Sequence, residues 1–286
     1  MANITASMVK DLREMTGAGM MECKNALKEA DGDTKAAIDI LRTKGLAAVE
    51  KKAGRATNEG TIVAVVSDEK KCGALVELNC ETDFVAINEK FANYGKKIAG
   101  AVLDCRPDDV DSLLKCDVDG ESVEEILTDA IHVLGENTKV ARFKVVEGSA
   151  ISSYIHAGGK IGVLVNFDVE NIDLDSPEFI SCGKDVAMQV AAINPISATR
   201  EDVPKDVIDH ELSIYKAQAA ESGKPEQIQE KIALGRMNKF YKERCLTEQE
   251  FVKDSSTTVQ KYVDSVAKNL GGKIKVKSFV RFQLGE

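Results

Sequence analysis

The chain has 286 residues, and its 38 lysines and arginines against 47 aspartates and glutamates give a formal net charge of −9 at pH 7. This length is enough for about two domains, and 43% hydrophobic with 30% charged residues is the composition of a globular chain rather than a disordered one. The acidic balance argues against a nucleic acid as the main partner, because nucleic-acid-binding proteins usually present basic patches.

Residues 1–56 predict three short helices that form a small bundle. Met8, Val9 and Leu12 repeat at helical spacing in the first, and the second contains the adjacent Met20 and Met21. These methionines are either an adaptable apolar surface for a partner or filling for the core of the bundle. A DNA-reading helix-turn-helix is disfavoured, because the second helix has no cluster of Arg, Asn or Gln. Residues 51–60 predict a polar linker.

Residues 57–286 contain two related halves. CGALVEL (72–78) matches IGVLVNF (161–167), and the motif Phe-x3-Gly-Lys-x2-Ala occurs at 91–99 and again at 179–187. Each half predicts the order strand, strand, helix, strand. Helices grouped on one side of antiparallel strands predict an α+β fold.

A third match, ARFKVVEG (141–148) with VRFQLGE (280–286), aligns Arg142 with Arg281 in the closing strands. The spacing between the copies is much larger here than for the earlier motifs. The second copy therefore carries an insertion before its last strand, and this insertion predicts two long helices joined at Ser222-Gly223-Lys224-Pro225. A helical hairpin of this kind either folds back on the core or supplies an interface to another chain. The predicted domains are 1–56, 57–148 and 149–286, with the hairpin inserted at about 200–245.

The two copies differ most just after their second strand. Thr82-Asp83-Phe84 in the first copy has no counterpart in DVENIDLDSPEF (168–179) of the second. A phenylalanine on an exposed loop tip is a good interface anchor, since aromatic residues dominate binding hot spots. The alternative is that Phe84 lies in the core and Asp83 caps the next helix.

Signs of catalysis are scarce. The chain has three histidines and seven cysteines, with no C-x-x-C pair, phosphate-binding loop, nucleophile elbow or metal-ligand spacing. Cys80 and His156 could form a thiol-based catalytic pair, although a buried structural Cys80 is favoured. The sequence therefore predicts a binding protein and not an enzyme, with no metal and no cofactor.

The N-terminus has no apolar core of a signal peptide, and no apolar stretch reaches the length of a membrane span. The odd number of cysteines, several of them inside apolar runs, favours reduced thiols. The expected location is the cytoplasm.

Five longer motifs together resemble one known family, bacterial translation elongation factor Ts. They are LREMTGAGMMECKNALKEADGD (12–33), VELNCETDFVA (76–86), YIHAGGKIGVLV (154–165), SGKPEQIQEKIALGRMNKF (222–240) and FVRFQLGE (279–286). The resemblance covers essentially the whole chain. It implies a ubiquitin-associated-like bundle, followed by a duplicated core of antiparallel sheets and helices with an inserted helical hairpin.

The resemblance also implies a function. Members of this family are guanine-nucleotide exchange factors that bind elongation factor Tu in its GDP-bound and nucleotide-free states. They displace its magnesium and phosphate contacts and promote GDP release during translation elongation. The alternative function is a protein-interaction scaffold that uses the three-helix bundle and has no exchange activity.

The family's contact positions are carried over residue by residue. The bundle docks on a helix of the GTPase domain, the Thr-Asp-Phe loop enters near the magnesium site, and a second loop supports it. His156 matches a contact with the far domain of Tu, and the hairpin implies either a homodimer or an assembly of two Tu with two Ts. No direct contact with nucleic acid or membrane is implied. The predicted Tu-binding residues are Arg13, Met20, Met21, Thr82, Asp83, Phe84, Val85, Leu134, Gly135 and His156.

Overall fold

A computed structural model describes residues 4–221 and 223–286, with the side chains of all of these except residues 46–48 and 50. Ser222 of the predicted hairpin turn thus lies outside the described residues. The N-terminal part is helical, as expected, and two of its helices begin directly after N-cap residues. Thr5 accepts a hydrogen bond from the Met8 amide at 3.2 Å, and Asp33 accepts one from the Ala36 amide at 3.0 Å. The helices are α1 (Ala6–Thr16), α2 (Met20–Glu29) and α3 (Thr34–Lys52).

The bundle has its own small core, in which Leu12, Cys23 and Leu27 are fully buried. The predicted linker at 51–60 is too long. Residues 51 and 52 belong to the third helix, and residues 59 and 60 already belong to the first strand, so residues 53–58 join the two elements.

The rest of the chain is built on two three-stranded antiparallel sheets, one in each copy of the repeat. The α+β fold class is therefore confirmed. The strands are rich in Val, Ile and Leu, which suits strands that are covered on both faces. The first sheet has the order β1 (Glu59–Val66), β2 (Cys72–Cys80), β5 (Lys139–Glu147), and the second has β10 (Lys273–Gln283), β7 (Ile161–Glu170), β6 (Ala150–His156).

Helices cover the outer face of each sheet, and a small hairpin precedes the second of these helices in each copy. On the first sheet lie α5 (Glu89–Cys105) and α7 (Val123–Leu134), and on the second lie α8 (Pro177–Ile193) and α11 (Val259–Leu270). The shorter elements are α4 (Asp83–Ala86), α6 (Val110–Leu114), β3 (Asp117–Val118), β4 (Glu121–Ser122), β8 (Glu250–Phe251) and β9 (Asp254–Thr258).

The inner faces of the two sheets pack against each other through a buried cluster that includes Ile62 and Leu75 of the first copy. The glycine shared by the repeat motifs lies at this crossing. A Cβ on Gly162 would come within 2.4 Å of Ile62 and 2.9 Å of Leu75, while one on Gly73 would come within 2.8 Å of Ile151. This close approach explains why both copies carry glycine there.

The register of the closing strands corrects the third sequence match. Phe143 pairs with Val76, and Phe279 pairs with Val165, the residue equivalent to Val76. Phe143 is therefore equivalent to Phe279, and the alignment of Arg142 with Arg281 is wrong. Each closing strand contains a bulge at the equivalent position, residue 141 in the first and residue 277 in the second. The similar letters further along do not occupy equivalent places.

The glycine at the centre of α5 gives a test of this packing. A Cβ on Gly95 would lie 2.8 Å from Val63 Cγ2, whereas one on Gly100 of the same helix would meet nothing within 4 Å. We expect Gly95→Ala to lower the free energy of unfolding by about 1–3 kcal/mol because it overpacks the helix–sheet contact. Gly100→Ala should instead raise it by about 0.5–1 kcal/mol. Urea titrations of both variants measure the difference, and equal effects would contradict the close contact.

The inserted hairpin consists of α9 (Lys205–Ala220) and α10 (Glu226–Arg244). Its base is packed, because Met237 and Phe240 of α10 are buried against Val207 and Leu212 of α9. Ile228 and Leu234 remain exposed. In the described part of the chain, no helix combines the length and the apolar character needed to cross a membrane.

Candidate functional site

The segment Thr82-Asp83-Phe84 begins a single helical turn rather than an irregular loop. Strand β2 ends at Cys80, and Thr82 caps the turn: its Oγ1 accepts from the Val85 amide at 3.4 Å and its carbonyl accepts from the Ala86 amide at 3.1 Å. The expectation that Asp83 is a helix cap is therefore wrong. Its carboxylate is exposed and available to a partner.

The turn presents two large apolar side chains to solvent. Phe84 is 79% exposed, so the interpretation of Phe84 as a core residue is wrong, and Ile87 is 82% exposed. Ile87 was missed in the sequence, although its spacing of three residues from Phe84 places both on one side of a helical turn. Val85 and Ala86 lie between them and pack against the core of the first sheet.

A pair of glutamates ties this turn to the loop that follows α7. Glu136 Oε2 accepts from the backbone amides of Glu81 at 3.1 Å and Thr82 at 3.0 Å, and its Oε1 accepts from the Thr82 hydroxyl at 2.6 Å. In return, Glu81 Oε1 accepts from the Asn137 amide at 2.7 Å. The structure thus brings the turn beside Leu134 and Gly135, as the sequence-based assignment of both segments to one surface requires.

Glu136 was also missed in the sequence. It follows Gly135, which ends α7 in the left-handed region with φ 79°, but no local pattern shows that its partners lie 54 and 55 residues earlier. Leu134 is half-buried against the core of the first sheet. The loop therefore has a packed side and an exposed side.

The methionine pair lies on the outside of the bundle. Met20 is 58% exposed and Met21 63% exposed, so the interpretation of either as core filling is wrong. They begin α2, and Glu22 of the same turn faces His132 of α7 at 3.6 Å. Arg13 is exposed in the last turn of α1. The Glu22–His132 contact and the packing of α3 against α7 join the bundle to the core at α7, the helix that ends at the supporting loop.

His156 lies at the end of β6 in the second sheet. It is exposed, and its Nδ1 shares a 3.1 Å hydrogen bond with the Tyr154 hydroxyl. Among the described contacts none joins His156 to Cys80, whose thiol donates to the Thr82 carbonyl at 3.2 Å. Burial, followed by the nearby Glu136 carboxylate, raises the pKa of the Cys80 thiol to about 12. These features argue against a catalytic Cys80–His156 pair.

The reactivity of Cys80 follows from this environment. At pH 8 a thiol with a pKa of about 12 is ionised to roughly one part in ten thousand, and Cys80 is also fully buried. We expect it to stay unmodified by iodoacetamide in the native protein, while the exposed Cys105 is alkylated. Peptide mass spectrometry before and after unfolding measures both. Native labelling of Cys80 at the rate of Cys105 would contradict the buried, protonated thiol.

No group of three His, Cys, Asp or Glu side chains is placed to hold a metal ion within residues 4–221 and 223–286. What the described site offers is a surface: an exposed apolar turn with a carboxylate, a supporting loop and a methionine-bearing helix end. Such a set of groups can form an interface with another protein.

Comparisons with known proteins agree with this description. The family model for elongation factor TS matches residues 81–286. The chain is 49% identical to elongation factor Ts of Trichlorobacter lovleyi, 48% to that of Clostridium botulinum strain Alaska E43 and 47% to that of Clostridium kluyveri. Each alignment covers 99% of this chain and 93% of the relative. With a fold, a repeat and an exposed turn of this kind, the chain belongs to the elongation factor Ts family.

Proposed function

We propose that this protein binds elongation factor Tu and promotes the release of GDP from it during translation elongation. The observation that carries the proposal is the exposure of Phe84 on a turn that hydrogen bonds hold at the end of a buried strand. A large aromatic side chain exposed to water is unfavourable in the free protein. Its burial by a partner stabilises the complex.

The action requires binding and no chemical reaction of this chain. Asp83 and Phe84 enter the GTPase near its magnesium ion and displace the magnesium and phosphate contacts. Because Mg²⁺ demands near-ideal octahedral geometry, a small displacement of its ligands lowers the affinity of the GTPase for the nucleotide. By linkage, a protein that prefers nucleotide-free Tu must lower the affinity of Tu for GDP by the same factor.

The remaining contacts hold the complex together. Arg13, Met20 and Met21 on the bundle dock on a helix of the GTPase domain. Thr82 and Val85 shape the turn, and the Leu134–Gly135 loop supports it. His156 reaches a different part of Tu from the second copy of the repeat, where it lies exposed at the end of β6. These residues form the proposed Tu-binding surface.

The arrangement in domains, the oligomer and the location belong to the same proposal. The bundle (1–56) docks, the first copy (57–148) carries the turn, and the second copy (149–286) carries the hairpin at about 200–245. The exposed Ile228 and Leu234 suit a homodimer or a two-Tu, two-Ts assembly through that hairpin. Translation elongation takes place in the cytoplasm, and we propose that location, with no direct contact to nucleic acid.

Stopped-flow release of fluorescent GDP from purified elongation factor Tu tests the function. We expect the protein to accelerate release in a saturable manner, and excess magnesium to oppose it. Stable binding to Tu without faster release would favour the scaffold alternative. Absence of both binding and acceleration would refute the role on Tu altogether.

A further inference from the structure

We propose that Glu136 is a positioning residue for nucleotide exchange, whose carboxylate fixes the turn that presents Asp83 and Phe84. This inference rests on the exchange function proposed above. It adds a residue that does not itself contact the partner and acts through the orientation of two residues that do.

The backbone at the end of β2 needs a hydrogen-bond acceptor. The pairing of β2 with its neighbours ends at Cys80 on one side and Asn79 on the other, so the amides of Glu81 and Thr82 lie beyond the sheet. Glu136 satisfies both with one oxygen and the Thr82 hydroxyl with the other. A carboxylate makes stronger hydrogen bonds than a neutral acceptor, and three of them define the direction in which the chain leaves the strand.

A reciprocal bond strengthens this tie. Glu81 accepts from the Asn137 amide at 2.7 Å, so each of the two segments binds the other's backbone through a glutamate. The Asn137 side chain in turn donates to the Arg55 carbonyl at 3.0 Å, on the segment that leaves the bundle. The turn, the supporting loop and the exit of the bundle therefore meet at one node centred on Glu136 and Asn137.

The turn has little stability of its own. Its helix spans four residues, Asp83–Ala86, which is far below the length at which a helix persists without outside support. Phe84 and Ile87 point into solvent and add no packing in the free protein. The turn is therefore held by the partly buried Val85 and Ala86, by the Thr82 cap and the Cys80 thiol, and by the three bonds to Glu136.

Docking by the bundle does not depend on this node in the same way. Met20 and Met21 lie on α2 of the bundle, which also rests on α7 through α3, as in the ion pair of Arg42 with Glu125. Loss of Glu136 should therefore leave encounter with Tu largely intact, while fewer complexes hold Phe84 in its productive position. The expected signature is a lower maximal rate of GDP release at a similar half-saturating concentration.

The first test follows the turn in the free protein. The chain contains no tryptophan, so Phe84→Trp places a single tryptophan on the turn, which can be excited selectively over the tyrosines. We expect Glu136→Ala to increase the local mobility of this tryptophan, seen as a faster component in time-resolved anisotropy. Glu136→Gln should retain most of the order, because its oxygen can accept both amides while its NH₂ donates to the Thr82 hydroxyl.

A matched control removes the same kind of bond elsewhere. Asp202 accepts from the Thr199 amide at 3.1 Å and the Thr199 hydroxyl at 2.7 Å, at the base of the hairpin. Asp202→Ala should leave the anisotropy of the reporter unchanged. Equal mobility in the Glu136→Ala and unsubstituted reporters would overturn the proposal without any reference to Tu.

The second test uses stopped-flow GDP release with the native Phe84. We expect Glu136→Ala to lower the maximal rate about five- to tenfold, with a half-saturating concentration within about threefold of the unsubstituted protein. Glu136→Gln should recover to within about twofold, and Asp202→Ala should match the unsubstituted protein. If Glu136→Ala does not fold, Glu136→Asp, which keeps the charge but is one methylene shorter, takes its place with the same expected direction.

The outcomes separate the two proposals. Acceleration by the unsubstituted protein together with an unchanged maximal rate for the Glu136 variants would overturn the positioning role and leave the exchange function standing. Lack of acceleration by the unsubstituted protein would overturn the exchange function and, with it, the role of Glu136 in exchange. A parallel loss in maximal rate and anisotropy order, rescued by glutamine, supports both.

Discussion

Replacing Phe84 with alanine is expected to remove most of the acceleration of GDP release while leaving the protein folded. The side chain is 79% exposed, and exposed residues away from caps and buried networks rarely change stability by more than about 0.5 kcal/mol. In the complex, an aromatic hot spot contributes about 2 kcal/mol or more. If that energy is used to displace the nucleotide, the maximal rate falls roughly 30-fold or more.

The matched control is Ile180→Ala. Ile180 is also a large exposed apolar residue, but it lies on α8 over the second sheet and has no place in the proposed surface. Its variant should exchange GDP at the unsubstituted rate. Stopped-flow GDP release and thermal melts are measured for both variants. A folded Phe84→Ala protein with full exchange activity would contradict the role assigned to Phe84.

Local chemistry predicted the three main strands and the first long helix of each copy, but not the small hairpin and the second helix that precede the closing strand. Asp33 at the N-cap of α3 and Pro177 in the first turn of α8 are residue types that favour helix starts from local chemistry alone. The order of matching motifs revealed the duplication. The equivalence of the closing strands could not be obtained in this way, because the bulges at Ala141 and Lys277 that set it have no distinctive letters.

The candidate site was likewise only partly predictable from the sequence. The position of the Thr82–Phe84 insertion was visible because only one copy has it, yet its exposure was not. A phenylalanine after a buried strand fits a core as well as a surface, and the decision depends on packing by Val85 and Ala86. Glu136 could not be inferred at all, since hydrogen bonds between segments that are distant along the chain leave no periodic trace in the sequence.

The methionine pair shows the limit of burial arguments in a small bundle. Leu12, Cys23 and Leu27 already fill the core, so Met20 and Met21 have no interior left to occupy. From the sequence alone, a core position and a surface position were both open for them. Only the packed structure shows that other residues already occupy the core of the bundle and that both methionines face outward.

Replacing Arg142 with methionine is expected to destabilise the protein strongly by leaving a buried carboxylate without its counter-ion. Arg142 and Glu77 are direct partners across β5 and β2, with Nε and Oε2 2.8 Å apart, and Glu77 is only 3% exposed. Removing one member of a buried pair costs roughly 3–5 kcal/mol. The other bonds to Glu77, from the Gly285 amide and the Asn79 side chain, are longer, at 3.3 and 3.4 Å.

The same pair also connects the two copies of the repeat. The Arg142 guanidinium donates to the Gln283 carbonyl at 2.9 Å and lies 4.3 Å from the centre of the Phe282 ring. Both of these residues belong to β10 of the second sheet. Arg142→Met therefore removes contacts between the copies as well as the counter-ion of Glu77, and the loss should appear as a lower denaturation midpoint of the whole core.

A second substitution separates the charge effect from the packing effect. In the Arg142→Met background, Glu77→Gln removes the unpaired charge, and we expect it to recover about 1–3 kcal/mol, the coupling typical of contacting residues. The control is Lys273→Met. Lys273 and Glu170 are likewise direct cross-strand partners, 2.6 Å apart, but both are exposed, so this variant should lose no more than about 1 kcal/mol. Urea titrations of the unsubstituted protein, Arg142→Met, Glu77→Gln and the double variant give the cycle, and Lys273→Met is measured beside them. If Arg142→Met lost no more than Lys273→Met, the Arg142–Glu77 pair would have no stabilising role at the junction of the copies.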